Sequence, residues 1–410
     1  CQVTCICAAV FVSNLSKTLQ LPLAIMVVFL HSFGLPSDVD IAGIDYTSLT
    51  GLDFYNLIRV ICSRLLSNCA VPAFFIISGY YFFYDINSLG NNHKSYFIGK
   101  WRKRLYSLLI PYLVWNTIYI LYTFFIRIAG VIIKGKSLSS IYDWISEYGN
   151  FFSLYWNCTS WSATIPNIFG SYEGFTSPLL FPMWFIRDLI VVVLIAPLLY
   201  FILKKYPLAT VFSLVICYTL SINFNVPGLS IISITFFAVG ASIAIHRKSL
   251  IQILSMPAIK ISAYCMSVIS LIVSIVIFEQ GLLYQIVYKI FCLFGTISLF
   301  NILASLLAHN KYRDYKFTKF SGASFFIFAM HIFVLGIIVP VLNFAYFFLF
   351  KGNILTVVGG KKLLAFVSTL SNVTGYFVIL TLTVILCIGT YILLKRLLPD
   401  SIFRILNGGR

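Results

Sequence analysis

The sequence predicts an all-α polytopic membrane protein of about ten transmembrane helices, with both chain ends on the cytoplasmic side. Three observations carry that prediction. Of the 410 residues, 60% are hydrophobic and only 10% are charged, whereas a soluble domain has about 25% charged residues; mean hydropathy is +0.96. The apolar residues come in runs of roughly 17–27, the length of a helix that crosses a hydrocarbon core of about 30 Å. The runs are continuous rather than alternating apolar and polar over about ten residues, which excludes an outer-membrane type of β-barrel.

Taken in order, the runs predict helices over 16–34, 58–83, 105–129, 182–203, 206–222, 229–246, 258–278, 284–308, 323–349 and 373–398. Pro22 falls near the start of the first, where its missing N–H is tolerated. The domain organisation that follows is an N-terminal segment over 1–15, a transmembrane domain over 16–398 and a short basic cytoplasmic tail over 399–410. No soluble domain is expected at either end, and no signal peptide is recognised.

The connecting loops set the expected orientation. Lys94, Lys100, Arg102, Lys103 and Arg104 separate the second and third helices. Lys204 and Lys205 follow the fourth, Arg247 and Lys248 the sixth, and Lys311, Arg313, Lys316 and Lys319 the eighth. Lys395, Arg396, Arg404 and Arg410 close the chain. Basic clusters thus alternate, which puts those loops and both ends in the cytoplasm. Lys351, Lys361 and Lys362 depart from the pattern. Asp38, Asp40, Asp45 and Asp53 lie in the first outer loop.

The net charge of +17 is accounted for by these loops, so no nucleic-acid partner is expected. The ten cysteines are scattered and mostly sit inside apolar runs, where Cys behaves as a small hydrophobe. No His/Cys spacing suggests a metal site, and no Gly-rich phosphate loop or internal repeat is present. The long loop between helices three and four is rich in aromatics, among them Trp144, Tyr155, Trp156 and Trp161. They serve either as an interfacial belt or as a cover over a sugar acceptor. Asn157-Cys158-Thr159 matches a glycosylation sequon.

One residue stands out chemically. His31 ends the first apolar run, LPLAIMVVFLHS, and an ionisable side chain in a membrane segment is by default a functional candidate. Four further stretches join it: VPAFFIISGY over 71–80, KRLYSLLIPY over 103–112 followed by Trp115-Asn116, PMWFIRDL over 182–189 and FFIFAMH over 325–331. Together and in this order they resemble the acyltransferase-3 family of integral membrane acyltransferases, across nearly the whole chain. The version here resembles the stand-alone branch that O-acetylates surface polysaccharides.

That resemblance implies a multi-pass protein of the bacterial cytoplasmic (inner) membrane that moves an acyl group, usually acetyl from acetyl-CoA, to a hydroxyl of a surface or lipid-linked glycan. It implies no metal. The family signature is an arginine, ten residues, then a histidine; His31 matches the histidine, and Gln20 stands where the arginine is expected. Ser107 likewise stands where many members carry a further basic residue.

Histidine suits the reaction because its unperturbed pKa is near 6.5. His31 either takes the acceptor proton directly or forms a transient acyl-imidazole. Eleven residues of helix return to within about 20° of the same face and rise about 16 Å, so position 20 lies below His31 on the same wall. Lys17, about 40° off that face, is a substitute for the missing arginine. Arg102, Lys103 and Arg104, with Arg104 foremost, are candidates for the CoA phosphates, or simply set topology.

Arg187 and Asp188 diverge by about 100° on an ideal helix, which predicts separate partners. Arg187 is a candidate for oxyanion stabilisation or acceptor binding; a structural pair is the other reading. Arg59, Arg64, Trp184 and Lys289 are grouped with the acceptor side. His331 is added to them, with a packing hydrogen bond as its other reading. The rival functions are a transporter of a small solute or glycan unit and a catalytically impaired homologue acting as a partner subunit. Acceptor glycan and membrane lipids are the expected partners; the oligomeric state is left open.

Overall fold

The computed structural model describes residues 19–32, 41, 44–88, 93–133, 135, 137, 143, 146, 150–160, 165–167, 170–172, 176–222, 226–309, 320–350, 355–358, 361–364 and 369–409. The described chain is overwhelmingly helical, as the sequence predicts. Among the described residues, six helical stretches are long and apolar enough to cross a membrane: Asp53–Phe83, His93–Ile133, Pro257–Val276, Gly281–Leu306, Ser321–Leu342 and Val373–Leu397. A seventh arises if the bent pair Phe181–Leu194 and Ala196–Lys205 is one span. The shorter apolar helices Leu19–His31, Pro207–Thr219 and Ile231–Ile245 occupy the remaining predicted segments.

Several of these stretches are interrupted, and the interruptions have local causes. The second begins as an α-helix at Gly51–Arg59, capped by a reciprocal pair in which Thr50 Oγ1 accepts from the Asp53 N–H and the Asp53 carboxylate accepts from the Thr50 N–H. This capping box satisfies two of the amides that a helix start leaves orphaned. The helix then widens to a π segment over Val60–Leu65, tightens to a 3-10 turn over Leu66–Cys69 and returns to α over Ala70–Phe83. The tight turn falls just before Pro72, which offers no N–H to the carbonyl of Asn68. The third repeats the device: α over His93–Arg104, π over Leu105–Leu109, α again from Ile110. Here Pro111 offers no N–H to the carbonyl of Ser107. The 64° bend in the fourth sits at Ile195, two residues before Pro197.

The chain divides into two compact units. One comprises Cys1–Phe74 with Ser249–Arg396, the other Phe75–Lys248 with Leu397–Arg410. Within the first, Pro257–Val276 and Gly281–His309 pack along each other as a helical hairpin. Its turn is made by Glu279 and Gly281, both at positive φ (57° and 65°). Gly295 faces Cys69 so closely that an added Cβ would lie 2.9 Å from its Sγ.

In the second unit, Gly79 and Gly240 bring two helix backbones into contact. A Cβ on Gly79 would lie 2.1 Å from the carbonyl oxygen of Phe237, and one on Gly240 would lie 2.0 Å from that of Ile76. Small residues allow such close approach where no hydrophobic drive separates helix from lipid. The C-terminal helix Asp400–Leu406 is tied to Ile110–Ile133 by Trp115, whose indole N–H donates to the Leu406 carbonyl at 2.9 Å. Short two-stranded ribbons, Thr159–Ser160 with Thr176–Ser177 and Ile165–Asn167 with Gly170–Tyr172, lie in the long loop. A third ribbon pairs Leu355–Val358 with Lys361–Leu364.

Candidate active site

The first unit holds His31 and His331. The Leu19–His31 helix buries Leu19, Leu23, Ala24, Val27 and Val28 and ends on His31 itself, which is half-buried. The chain turns there, with the Ser32 N–H donating to the Phe29 carbonyl at 3.2 Å. Gln20 is also half-buried, eleven residues back and therefore about 16 Å down the axis. Lys17 lies outside the described residues.

His331 is fully buried in the Ser324–Phe350 helix. Its Nδ1 lies 3.1 Å from the Ile327 carbonyl oxygen. A carbonyl only accepts, so Nδ1 carries the hydrogen and the neutral ring presents a lone pair at Nε2. That Nε2 has no hydrogen-bond partner among the described residues. The ring stacks on His31, with centroids 5.2 Å apart and planes at 18°. The sequence treats the two as separate candidates; the fold brings them together across 300 positions.

A hydroxyl relay lies beside them. Ser63 Oγ donates to the Ser32 carbonyl at 3.0 Å and lies 2.6 Å from the Tyr376 hydroxyl. With the serine proton committed to that carbonyl, Tyr376 is the donor of the second bond. Tyr376 also meets Phe29 edge to face at 6.2 Å. Ser32, Ser63 and Tyr376 are invisible as candidates in the sequence, because nothing in their spacing marks them.

Arg59 is the most unusual residue of this unit. It is 1% exposed, yet none of its three guanidinium nitrogens has a hydrogen-bond partner among the described residues. Its guanidinium rests on the Tyr55 ring, 5.0 Å from the centroid. Arg64 and Tyr376 lie within its electrostatic reach. Arg64 is exposed, and its carbonyl accepts from the Asn68 side-chain amide. Arg64 is also within electrostatic reach of His31. Lys289 is buried in Gly281–His309 near Cys292.

The second unit holds the other candidates. Arg187 and Asp188 each have a separate partner, as the ideal helix suggests, and they also pair with each other. Arg187 Nε and Nη2 donate to Asp188 Oδ1 at 3.0 and 2.9 Å. The other carboxylate oxygen accepts from the Ser230 N–H at 3.2 Å. Arg187 Nη1 donates to the Trp156 carbonyl, and the guanidinium lies over the Trp156 ring at 5.7 Å. The guanidinium is long and flexible enough to fold back over the next residue, so the 100° divergence of the Cβ atoms does not separate the charges. Trp156 in turn donates to the Pro227 carbonyl at 3.2 Å, beside Gly228 at φ +95°. These contacts tie the long loop, the Trp184–Leu194 helix and the start of Ile231–Ile245 into one buried clamp. Trp184 opens its helix and is half-buried.

Of the basic cluster, Arg102 and Lys103 are exposed and Arg104 is half-buried. Lys100 is engaged by Asp85 at 3.6 Å and lies over the Tyr96 ring at 5.2 Å. Arg104 immediately precedes its π segment, as Arg59 precedes the other. In the long loop, Asn157 of the sequon is exposed, while burial pushes the neighbouring Cys158 thiol up to about 12. Tyr142, Trp144, Tyr148, Trp161, Phe169 and Phe175 lie outside the described residues.

A family model described as an acyltransferase domain matches residues 21–392. That range takes in all five motif stretches. No curated protein matches the chain, and no solved structure does. With a helical membrane architecture and a match over nine-tenths of its length, the chain belongs to the acyltransferase-3 family of membrane acyltransferases.

Proposed function

We propose that this membrane acyltransferase transfers an acetyl (acyl) group from cytoplasmic acyl-CoA to a hydroxyl of a cell-surface or lipid-linked glycan, with His31 as the base. The observation that carries the proposal is the pairing of His31 with His331. His331 has one nitrogen fixed by the Ile327 carbonyl and a flat face against His31. This holds the His31 ring in one orientation at the end of its helix, as a general base requires.

The step balances as follows. A His31 ring nitrogen takes the proton of the acceptor hydroxyl as its oxygen attacks the thioester carbonyl carbon. The tetrahedral intermediate collapses, the C–S bond breaks and the imidazolium returns the proton to the departing thiolate. The products are the glycan ester and free CoA. Gln20, below His31 on the same helix, supplies a neutral hydrogen bond along the path of the pantetheine arm. Lys17, Arg102, Lys103 and Arg104 supply positive charge for the phosphates, Arg104 foremost because its fork suits them. Arg59, Arg64, Trp184, Lys289 and His331 belong to the acceptor side. The Arg187–Asp188 clamp holds the long loop in register, and no free donor is needed from it for the reaction. Membership of a bacterial inner membrane follows from the same reading.

The test is acetyl transfer from labelled acetyl-CoA by purified protein in proteoliposomes. Transfer or slow hydrolysis that disappears in His31→Ala is expected. In the same assay Lys17→Ala raises KM for acetyl-CoA and Gln20→Arg lowers it. Turnover that survives in His31→Ala refutes the assignment of the base.

A further inference from the structure

The buried guanidinium of Arg59 calls for an explanation of its own. A charge removed from water is tolerated when it is paired and hydrogen-bonded, and Arg59 is neither among the described residues. Its aromatic support from Tyr55 covers one face of the guanidinium and leaves the in-plane N–H groups unused. Those N–H groups form the planar fork that grips a carboxylate in two parallel bonds. The same unit holds further unused polar atoms. Ser32 Oγ is buried without a partner among the described residues, and so is His331 Nε2. Ser63, four residues after Arg59, holds the carbonyl of Ser32 on one side and Tyr376 on the other. A cation, an unpaired hydroxyl and an imidazole lone pair are therefore buried in the same unit, around a residue adjacent to His31.

We propose that Arg59 is the recognition point for a carboxylate on the acceptor, so that the glycan acylated is an acidic one, built with a uronic-acid or sialic-acid type of sugar. The proposal rests on the acyltransferase reading and narrows its substrate class. A single guanidinium balances a single negative charge, which fits a carboxylate better than a phosphate monoester carrying nearly two. Its planar fork and aromatic backing fit a flat, bidentate group. Anchoring the carboxylate at Arg59 would orient a neighbouring ring hydroxyl toward His31, while Ser32 Oγ offers it a hydrogen bond.

The experiment reads binding separately from turnover. Detergent-purified protein is titrated with glucuronate, N-acetylneuraminate, neutral glucuronamide and inorganic phosphate, and thermal unfolding is followed. At least one of the two carboxylated sugars is expected to raise the melting temperature, with glucuronamide inert and phosphate weaker. The shift should vanish in Arg59→Met and weaken at least tenfold in apparent affinity in Arg59→Lys, which keeps the charge and loses the fork. Absence of any shift with both acidic sugars overturns the proposal, as does an undiminished shift in Arg59→Lys. A loss of melting temperature in Asp38→Asn or Asp40→Asn equal to that of Arg59→Met, without any sugar effect, assigns Arg59 to an internal ion pair and also overturns it. Acetyl-CoA turnover is measured in parallel: turnover without a carboxylate shift defeats this inference alone. A shift without turnover defeats the acyl-transfer reading and leaves the anion site standing.

Discussion

His31 and His331 lie face to face, 5.2 Å apart, with the buried ring held by the Ile327 carbonyl and the half-buried ring closing its helix. Two imidazoles so placed cannot both carry a charge cheaply, because like charges at that separation repel in a medium of low polarity. If His31 is the base, as proposed, it takes up a proton against a neighbour that stays neutral.

The first prediction separates the roles of the two rings. His31→Ala lowers acyl transfer by about 10²–10⁴-fold, the usual contribution of a general base. His331→Phe keeps a flat ring under His31 and costs about tenfold in kcat, equivalent to about 1.4 kcal/mol. Steady-state kinetics in proteoliposomes, with unfolding temperature as a control, check both. Equal losses in the two variants would contradict the assignment of His31 alone as base.

The Arg187–Asp188 pair predicts strong non-additivity. Asp188→Asn leaves a buried guanidinium without its counter-charge and is expected to cost about 3–5 kcal/mol. The double substitution Arg187→Met/Asp188→Leu removes both charges and should cost less than either single change. Thermal unfolding of the set in detergent gives the coupling energy. Simple addition of the single losses would show that the contact at 2.9 Å contributes nothing.

Gly79 and Gly240 set a steric prediction. Alanine at either places a methyl about 2 Å from a carbonyl oxygen of the facing helix, so the backbones must separate, at an expected cost of about 2–3 kcal/mol. Gly99→Ala, in the His93–Arg104 helix with nothing within 4 Å of the new carbon, should instead gain about 0.5–1 kcal/mol. Unfolding midpoints distinguish them, and a stable Gly240→Ala protein would contradict the close approach.

Asp45 gives a pH dependence outside the membrane spans. The hydroxyl of Ser48, then the hydroxyl and N–H of Thr47, hold its carboxylate down at about 2. A depressed folded pKa contributes order that is complete above the unfolded value near 4 and is lost as pH falls towards 2. Amide exchange at Thr47 and Ser48 should therefore accelerate through that window, and be fast and flat with pH in Asp45→Asn.

Sequence and structure agree where hydropathy alone decides. Each predicted apolar segment carries a helix, because the bilayer demands internally bonded backbone over a fixed length. The interruptions were not legible: the hydropathy that marks a span does not distinguish π from α turns, and only Pro72, Pro111 and Pro197 hint at them. Half of the site was legible for a similar reason. His31, Arg59 and Lys289 announce themselves as polar residues in apolar runs, whereas Ser63 and Tyr376 are ordinary membrane-helix residues joined by a contact across 313 positions. The Arg187–Asp188 pairing was one of two readings the sequence left open, because Cβ directions on a helix do not limit where a long guanidinium ends.

The two π segments bear on how this chain tolerates changes of length. Removing one residue from an ordinary α-helix swings everything beyond it by about 100° and would turn a membrane-facing stripe inward. A π turn already contains one residue beyond the α register. Deleting a residue from Val60–Leu65 or Leu105–Leu109 lets the turn relax to α while both flanks keep their faces. Among the described residues, these are two points in the spans where a single residue can be lost without refacing a helix. An Arg stands at the threshold of each, so such a deletion would re-aim Arg59 or Arg104 and leave the rest of the helix in place.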